Sequence, residues 1–508
     1  MNKRLDRSFR SLRSAVLYLA GAAALAAWQP VEAVDIDPGL MEAALQDGSA
    51  SVLLVFHDQQ TPVQKAPLDS RDYLAHRRWL VSALRSRAGR QQESARRWLD
   101  EKGIAYRSYW IANVIAAQLA PDEITTLGRR DDIRRVAHDR PFRQHLPVVT
   151  DKTGAADGVL ALPWGLEKIS APDVWADGID GQGVVIAGAD TGYQWDHPAL
   201  KSQYRGWDGS SVSHDYNWHD AIHDAGSSCG ADSPAPCDDD DHGTHTMGTM
   251  VGSPPGSDVI GVAPGARWTG CRNMNNGSGT TAQYIECMQW FMAPTDLAGS
   301  NPDPDRAPDI INNSWGCVPS EGCTTGEELR AAVDNVVAGG ILFVVSAGNS
   351  GPGCSSINDP PAIYDRSFVV AASSSNDSLA SFSSRGPVSG AEGITLDIAA
   401  PGVNVYSSVR NNGYGNKSGT SMAGPHAAGV AALVMAANPN LRGQPDAVAG
   451  ILRSSAVRQG ITDAYNSGCG GLTMSDWPNW QAGHGRLDAR AAVQMARSLI
   501  FSDRFESR

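Results

Sequence analysis

Four short segments set the strongest limit on what this 508-residue chain can fold into. They are "GVVIAGAD" (183–190), "IINNSWG" (310–316), "GILFVVSAGN" (340–349) and "SFVVAAS" (367–373). Each carries a short apolar run and reads as a buried strand. Helical patterns intervene, among them "GEELRAAVDNVVAGG" (326–340) with glycines at its ends. The alternation predicts an α/β fold, a doubly wound, mostly parallel sheet flanked by helices. Functional groups of such sheets collect beyond the carboxyl ends of the strands. Asp190 and Asn349 stand at two of those ends. His242 opens the small-residue segment "HGTHTMGTMVG" (242–252), and Ser421 opens the apolar helix "SMAGPHAAGVAALV" (421–434).

Ser421 admits two readings. A serine at a helix start ordinarily caps the unpaired N–H groups there. It becomes a nucleophile only where a neutral imidazole takes its proton, a carboxylate orients that imidazole and preset donors receive the oxyanion. The chain holds each type: Asp190, His242, and the Asn349 side chain with the Ser421 amide. Singly they are ordinary, a strand-end Asp being most often a turn former. Their joint occurrence favours acyl-transfer chemistry. The order Asp, His, Asn, Ser excludes an α/β-hydrolase, which runs Ser, Asp, His with a G-x-S-x-G elbow, and "GTSMA" (419–423) ends in Ala. It also excludes the His, Asp, Ser order of an all-β chymotrypsin-like enzyme. His242 and His245 at i, i+3 lack a third ligand motif, so a metal site is not read from them. The glycines of "GQG" (181–183) precede their strand instead of following it, which removes a dinucleotide-binding reading.

Residues 1–33 read as a secretory signal: five Lys/Arg precede the apolar run Ala15–Trp28, and "VEA" ends at Ala33. That run is shorter than the ~20 residues of a membrane span, so no stable membrane anchor is expected. Eight cysteines, all between Cys229 and Cys469, suit disulfides in an exported chain. No pair shows the C-x₂₋₄-C spacing of a zinc site. Eight cysteines allow about 105 connectivities. Short spacings suggest Cys229–Cys237 and Cys317–Cys323, with Cys271–Cys287 and Cys354–Cys469 named for the rest. Charge is uneven. Residues 34–145 hold 17 Lys/Arg against 15 Asp/Glu, and those from Leu146 onward hold 20 against 38. Two bodies of opposite sign attract each other, and the acidic one argues against nucleic acid as a partner. The first body reads as strand "SVLLVFHD" (51–58), a helical stretch over 72–103, a hairpin over 105–120, a helix over 120–132 and a strand over 133–139. That is the ferredoxin-like α+β order. "LPVVTDKTGAADG" (146–158) reads as an exposed linker.

Together, "IAGADTG", "DHGTHTMGTM", "GVAPGA", "NNSWG", "SAGNSG" and "SGTSMAGPHAAG" resemble the motifs of the subtilisin family of serine endopeptidases, over roughly residues 164–487. Segments 164–190 and 289–316 look most like its bacillopeptidase F branch, and the body 34–145 is similar to the family's inhibitory, foldase-like propeptide. The resemblance implies Asp190 as orienting carboxylate, His242 as general base then acid, Ser421 as nucleophile and Asn349 as oxyanion donor, with His245 structural. It implies two edge strands that pair with an extended substrate, Gly277-Ser278-Gly279 and Ser314-Trp315-Gly316. Ser346-Ala347-Gly348 would form one wall of the primary specificity pocket.

The expected domains are a signal peptide (1–33), a propeptide (34–145), a linker with the processing site (146–163), a peptidase domain (164–497) and a short tail (498–508). The expected product is a secreted (extracellular or periplasmic), monomeric serine endopeptidase acting on proteins or peptides. It would be made as a precursor that cuts itself and is inhibited by its own propeptide, and catalysis would need no cofactor. The alternative is a catalytically silent binding or chaperone module on the same fold. The family's structural calcium is not carried over residue by residue: Ala199 occupies the matching place in "TGYQWDHPALK" (191–201), and "GSPPGSDV" (252–259) replaces an asparagine-bearing loop. The run Asp238–Asp241 reads as a solvated acidic loop, with a cation site as the sharper option.

Overall fold

The structure, a computed structural model, describes residues 34–62, 72–147, 149–153, 162–224, 226–256, 259–391, 393 and 395–506. Residues 1–33, the expected signal segment, and residues 154–161 of the expected linker lie outside them.

The first elements are β1 (Asp35–Ile36), α1 (Leu40–Asp47), β2 (Ala50–Phe56), α2 (Tyr73–Gln91), α3 (Glu93–Lys102), β3 (Tyr106–Tyr109), β4 (Val114–Leu119), α4 (Pro121–Leu127) and β5 (Ile133–His138). Their sheet runs β1-β5-β2-β4-β3. The strands from β2 onward keep the ferredoxin-like order, and β1 adds a parallel edge beside β5. β2 is apolar from Val52 to Phe56 because both its faces are covered there. Val52, Leu54 and Phe56 pack with Leu99 and Ile124, whereas Leu53 and Val55 join Leu80 and Leu84 of α2. The helical stretch expected over 72–103 is two helices meeting at Gln92. Its buried side-chain amide donates to Asn113 Oδ1 at 3.2 Å and accepts from the Ser108 hydroxyl at 2.5 Å, a polar anchor that ties the junction to the hairpin.

Next come β6 (Phe142–Arg143) and β7 (Thr150–Thr153), then α5 (Trp164–Lys168), α6 (Ala171–Ala176), β8 (Val185–Asp190), β9 (Trp218–Asp220) and α7 (His242–Val251). β10 (Arg267–Arg272), β11 (Met274–Asn275), β12 (Ser278–Gly279), α8 (Thr281–Met292), β13 (Ile310–Asn313), α9 (Arg330–Ala338) and β14 (Leu342–Ser346) follow. The chain closes with β15 (Phe368–Ser373), β16 (Leu396–Pro401), β17 (Val405–Val409), β18 (Gly413–Lys417), α10 (Thr420–Ala437), α11 (Pro445–Ser454) and α12 (Ala489–Glu506). α12 runs through the boundary drawn between residues 497 and 498.

Seven strands form one sheet, β16-β15-β14-β13-β8-β10-β9, with every neighbouring pair parallel. Alternate side chains feed two layers. Ile186, Ile310, Val344 and Val370 pack with α7, α10, α11 and α12, whereas Ala187, Ile311, Phe343 and Ala371 pack with α8 and α9. α10 is buried nearly all round, which is why its sequence lacks a polar stripe. The sheet order turns at β8: β10 lies on one side of it and β13, the later strand, on the other. Such a switch opens a crevice beyond the carboxyl end of β8, where Asp190 stands. Among the described residues no helix is long and apolar enough to cross a membrane.

Candidate active site

Asp190 closes β8, and the Thr191 amide donates to its Oδ1 at 2.8 Å. That oxygen also meets His242 Nδ1 at 2.7 Å. His242 is the first residue of α7, whose N-terminal amide and hydroxyl at Thr244 donate to Asp238 Oδ2 at 2.9 and 2.6 Å. Asp238 thus satisfies a helix start that would otherwise leave buried donors unpaired. The second residue has to be glycine, because a Cβ on Gly243 would stand 2.0 Å from the Gly192 carbonyl oxygen. Asp190, His242 and Ser421 are 1, 0 and 3 % exposed, so the group is closed to bulk water. His242 Nε2 has no hydrogen-bond partner among the described residues.

Ser421 is the second residue of α10, behind Gly419 as N-cap, and its side chain caps nothing. Pro425 lies four residues on and has no N–H to give the Ser421 carbonyl. The Ser314 hydroxyl makes that bond instead at 3.0 Å, while the Ser421 hydroxyl donates to the Ser314 carbonyl at 3.1 Å. The two serines are therefore linked twice. Asn349, just beyond β14, accepts from both the amide and the hydroxyl of Thr420 at 2.9 Å through Oδ1. Fixing the oxygen in this way commits the Nδ2 donor to the opposite direction.

The two expected edges are both engaged, by the chain itself. β6 pairs antiparallel with β12, Phe142 opposite Gly279 and Arg143 opposite Ser278. The Gln144 amide donates to Gly277 O at 2.9 Å. The Gln144 side chain behaves as a surrogate peptide group: Nε2 donates to Gly316 O at 2.5 Å and Oε1 accepts from Gly316 N at 3.3 Å. It also donates to the Tyr284 hydroxyl, which in turn donates to Glu321 at 2.5 Å. Burial raises the Glu321 carboxyl to about 9. Trp315 is buried, stacked on Tyr284 with centroids 3.9 Å apart, so the edge offers its backbone rather than this side chain. Ser346, Ala347 and Gly348 leave the end of β14. The Ser346 hydroxyl lies 3.7 Å from where a Cβ on Gly424 would sit, so this wall faces the first turns of α10.

The profile of the subtilase family matches residues 181–472, more than half of the sequence. The chain belongs to the subtilase family. It is 38% identical over 437 residues to bacillopeptidase F of Bacillus subtilis (strain 168), an alignment covering 82% of this chain and 28% of that protein. The chain thus spans little more than a quarter of that relative's length. Over 356 residues it is 32% identical to M-protease of Shouchella clausii (strain KSM-K16), covering 70% of this chain and 77% of that one. Over 309 residues it is 33% identical to subtilisin Savinase of Lederbergia lenta, covering 61% and 96%.

This subtilase seats its first body on α8 and α9. Gln289 accepts from the Trp110 amide at 2.6 Å, Asn335 donates to Ile111 O at 2.7 Å, and the Ala282 amide at the start of α8 donates to Asp139 at 3.0 Å. Arg135 pairs with Glu328 at 2.9 Å. Four disulfides stand at Cys229–Cys237, Cys271–Cys287, Cys317–Cys323 and Cys354–Cys469, the pairs named from the sequence. Ala199 packs with Ile260 and Tyr414. Among the described residues no three or more His, Cys, Asp or Glu gather in a way that could hold a metal ion. The expected acidic loop is only half solvated. Asp238 caps α7 and Asp239 pairs with the buried Arg272 at 3.2 Å, both buried. Sequence reasoning missed Gln144, Thr420 and Asp238. Only Asp238 carried a local signal, an acidic residue in the turn before a helix.

Proposed function

We propose that this subtilase is a secreted serine endopeptidase, made as a precursor that cuts its own chain. The observation that carries the reading is the pair of segments 142–147 and 149–153, each seated on an edge of the second body. Phe142–Gln144 lie on one edge, and Thr150–Thr153 pair with β18. Between them Leu146 lies beside Gly277, and Pro147 stands beside Gly419, two residues before Ser421. The peptide bonds between Gln144 and Pro147 are therefore the candidates for hydrolysis. On this reading the export signal is 1–33, the propeptide 34–145, the linker with the processing site 146–163, the peptidase body 164–497 and the terminal tail 498–508.

Ser421 Oγ bonds to the carbonyl carbon as His242 Nε2 takes its proton. Asp190, held on Nδ1, keeps the ring in the tautomer with a free Nε2 and stabilises its charged form. The oxyanion is received by the Ser421 amide and Asn349 Nδ2. Collapse breaks the C–N bond, the amine leaves with the proton from His242, and water then hydrolyses the acyl ester by the same proton route. Ser346–Gly348 would wall the pocket for the side chain before the cut. Catalysis by these residues needs no cofactor. The substrates are proteins or peptides, the working form is a monomer, and the propeptide acts as inhibitor and folding aid.

One observation favours the silent-module reading: the Ser421 hydroxyl donates to Ser314 O rather than to His242. Reaction with a fluorophosphonate probe decides the matter. Labelling that disappears in Ser421→Ala, together with an uncleaved Ser421→Ala precursor, supports the endopeptidase. No labelling, or normal processing of that variant, overturns it.

A further inference from the structure

We infer that β18 is a docking edge for polypeptide on the leaving-group side of the cut, several residues beyond the reacting bond. The inference rests on the proposed function. β7 pairs antiparallel with β18, Tyr414 opposite Thr153 and Asn416 opposite Thr150, and the Thr150 hydroxyl donates to Asn416 O at 3.3 Å. The small sheet runs β17-β18-β7, so β7 is its outer strand. Once the precursor segment leaves, β18 presents a row of unpaired N–H and C=O groups, which is a template for any extended chain.

Three features indicate that this edge is built for occupation. Its glycines clear a path. A Cβ on Gly415 would stand 2.5 Å from a Val149 methyl and 3.3 Å from Thr150 O, and one on Gly419 would stand 2.6 Å from Pro147. Lys417, almost wholly buried, donates from Nζ to Pro147 O at 2.8 Å and so grips the main chain between the cut and the edge. The edge is also rigid relative to the base. The Ser407 and Ser408 hydroxyls donate to the carbonyls of His245 and Thr244 at 2.9 Å. His245 Nε2 reaches Val405 O and Gly415 O at 3.0 and 3.2 Å, while burial holds its ring neutral. His245 is thus the bolt between the β17–β18 hairpin and the helix that carries His242. β12 guides a substrate before the cut, and β18 guides it after.

The partner is an unfolded or extended segment, able to lie as a strand for several residues downstream of the bond. The test uses the mature secreted protein and two peptides of its own sequence, residues 142–149 and residues 142–153. The longer peptide is expected to show kcat/KM at least about fivefold higher, the return on one or two added main-chain bonds. N-methylation at alternate residues of 150–153 should erase the gain in one set and spare it in the other, because a strand offers only every second amide to its neighbour. Equal kcat/KM for both lengths, or indifference to both methylated sets, overturns the docking edge and leaves the endopeptidase reading standing. A protein that cleaves neither peptide and takes no fluorophosphonate overturns both.

Discussion

A proline inside a helix ordinarily strips a carbonyl of its partner at a cost of ~3 kcal/mol or more. In α10 the carbonyl so stripped is that of Ser421, and Ser314 on the neighbouring edge supplies the missing donor. Ser314→Ala should orphan a buried acceptor, and urea unfolding of the Ser421→Ala precursor is expected to register a loss of roughly 1–3 kcal/mol. Asn349 is held in place by two bonds from Thr420. Asn349→Ala should lower kcat by about 10²–10³ with little change in KM, the loss measured when the corresponding donor of another subtilisin is removed. Glu321 offers a test by pH. Burial lifts its carboxyl to about 9 in the folded chain, so between the ordinary carboxylate range and that value the native state binds the extra proton. Its contribution is complete at low pH and drains away as pH rises toward about 9. The melting temperature of the Ser421→Ala precursor should fall across that interval, and Glu321→Gln should flatten the slope.

Element by element, legibility followed burial. Four of the seven strands of the large sheet, β8, β13, β14 and β15, announced themselves through short apolar runs, because both faces of the sheet are covered, whereas β9, β10 and β16 were not picked out. β1, β6 and β7 left no such trace. They are two to four residues long, and β6 and β7 exist only where a distant edge, β12 or β18, completes their hydrogen bonds. The pairing Cys354–Cys469 fastens the loop after Asn349 to the segment ahead of α12 across a separation of 115 residues. Chain entropy makes a closure of that length worth roughly 4–5 kcal/mol. The double variant Cys354→Ser, Cys469→Ser should unfold at a correspondingly lower denaturant concentration, and an unchanged midpoint would show that the bond adds nothing.

For the whole molecule, residue types and their order singled out Asp190, His242, Asn349 and Ser421; the structure joins Asp190 to His242 and ties Asn349 to Thr420, the neighbour of Ser421. Contacts that depend on two bodies meeting were not legible. Nothing near Gln144 in sequence indicates that its amide will stand in for a peptide bond against Gly316, because that role exists only once the first body rests on α8 and α9. Opposite net charges favour the meeting of those bodies, and the interface itself combines placed amides, the ion pairs Arg78–Asp305 and Arg135–Glu328, and a shared apolar cluster. On the proposed reading the bond to be cut belongs to the same polypeptide as Ser421, so severing it is a unimolecular event. Maturation should follow first-order kinetics with a half-time indifferent to dilution, and mixing wild-type protein with a Ser421→Ala precursor should leave the latter whole for as long as its own cleft stays filled.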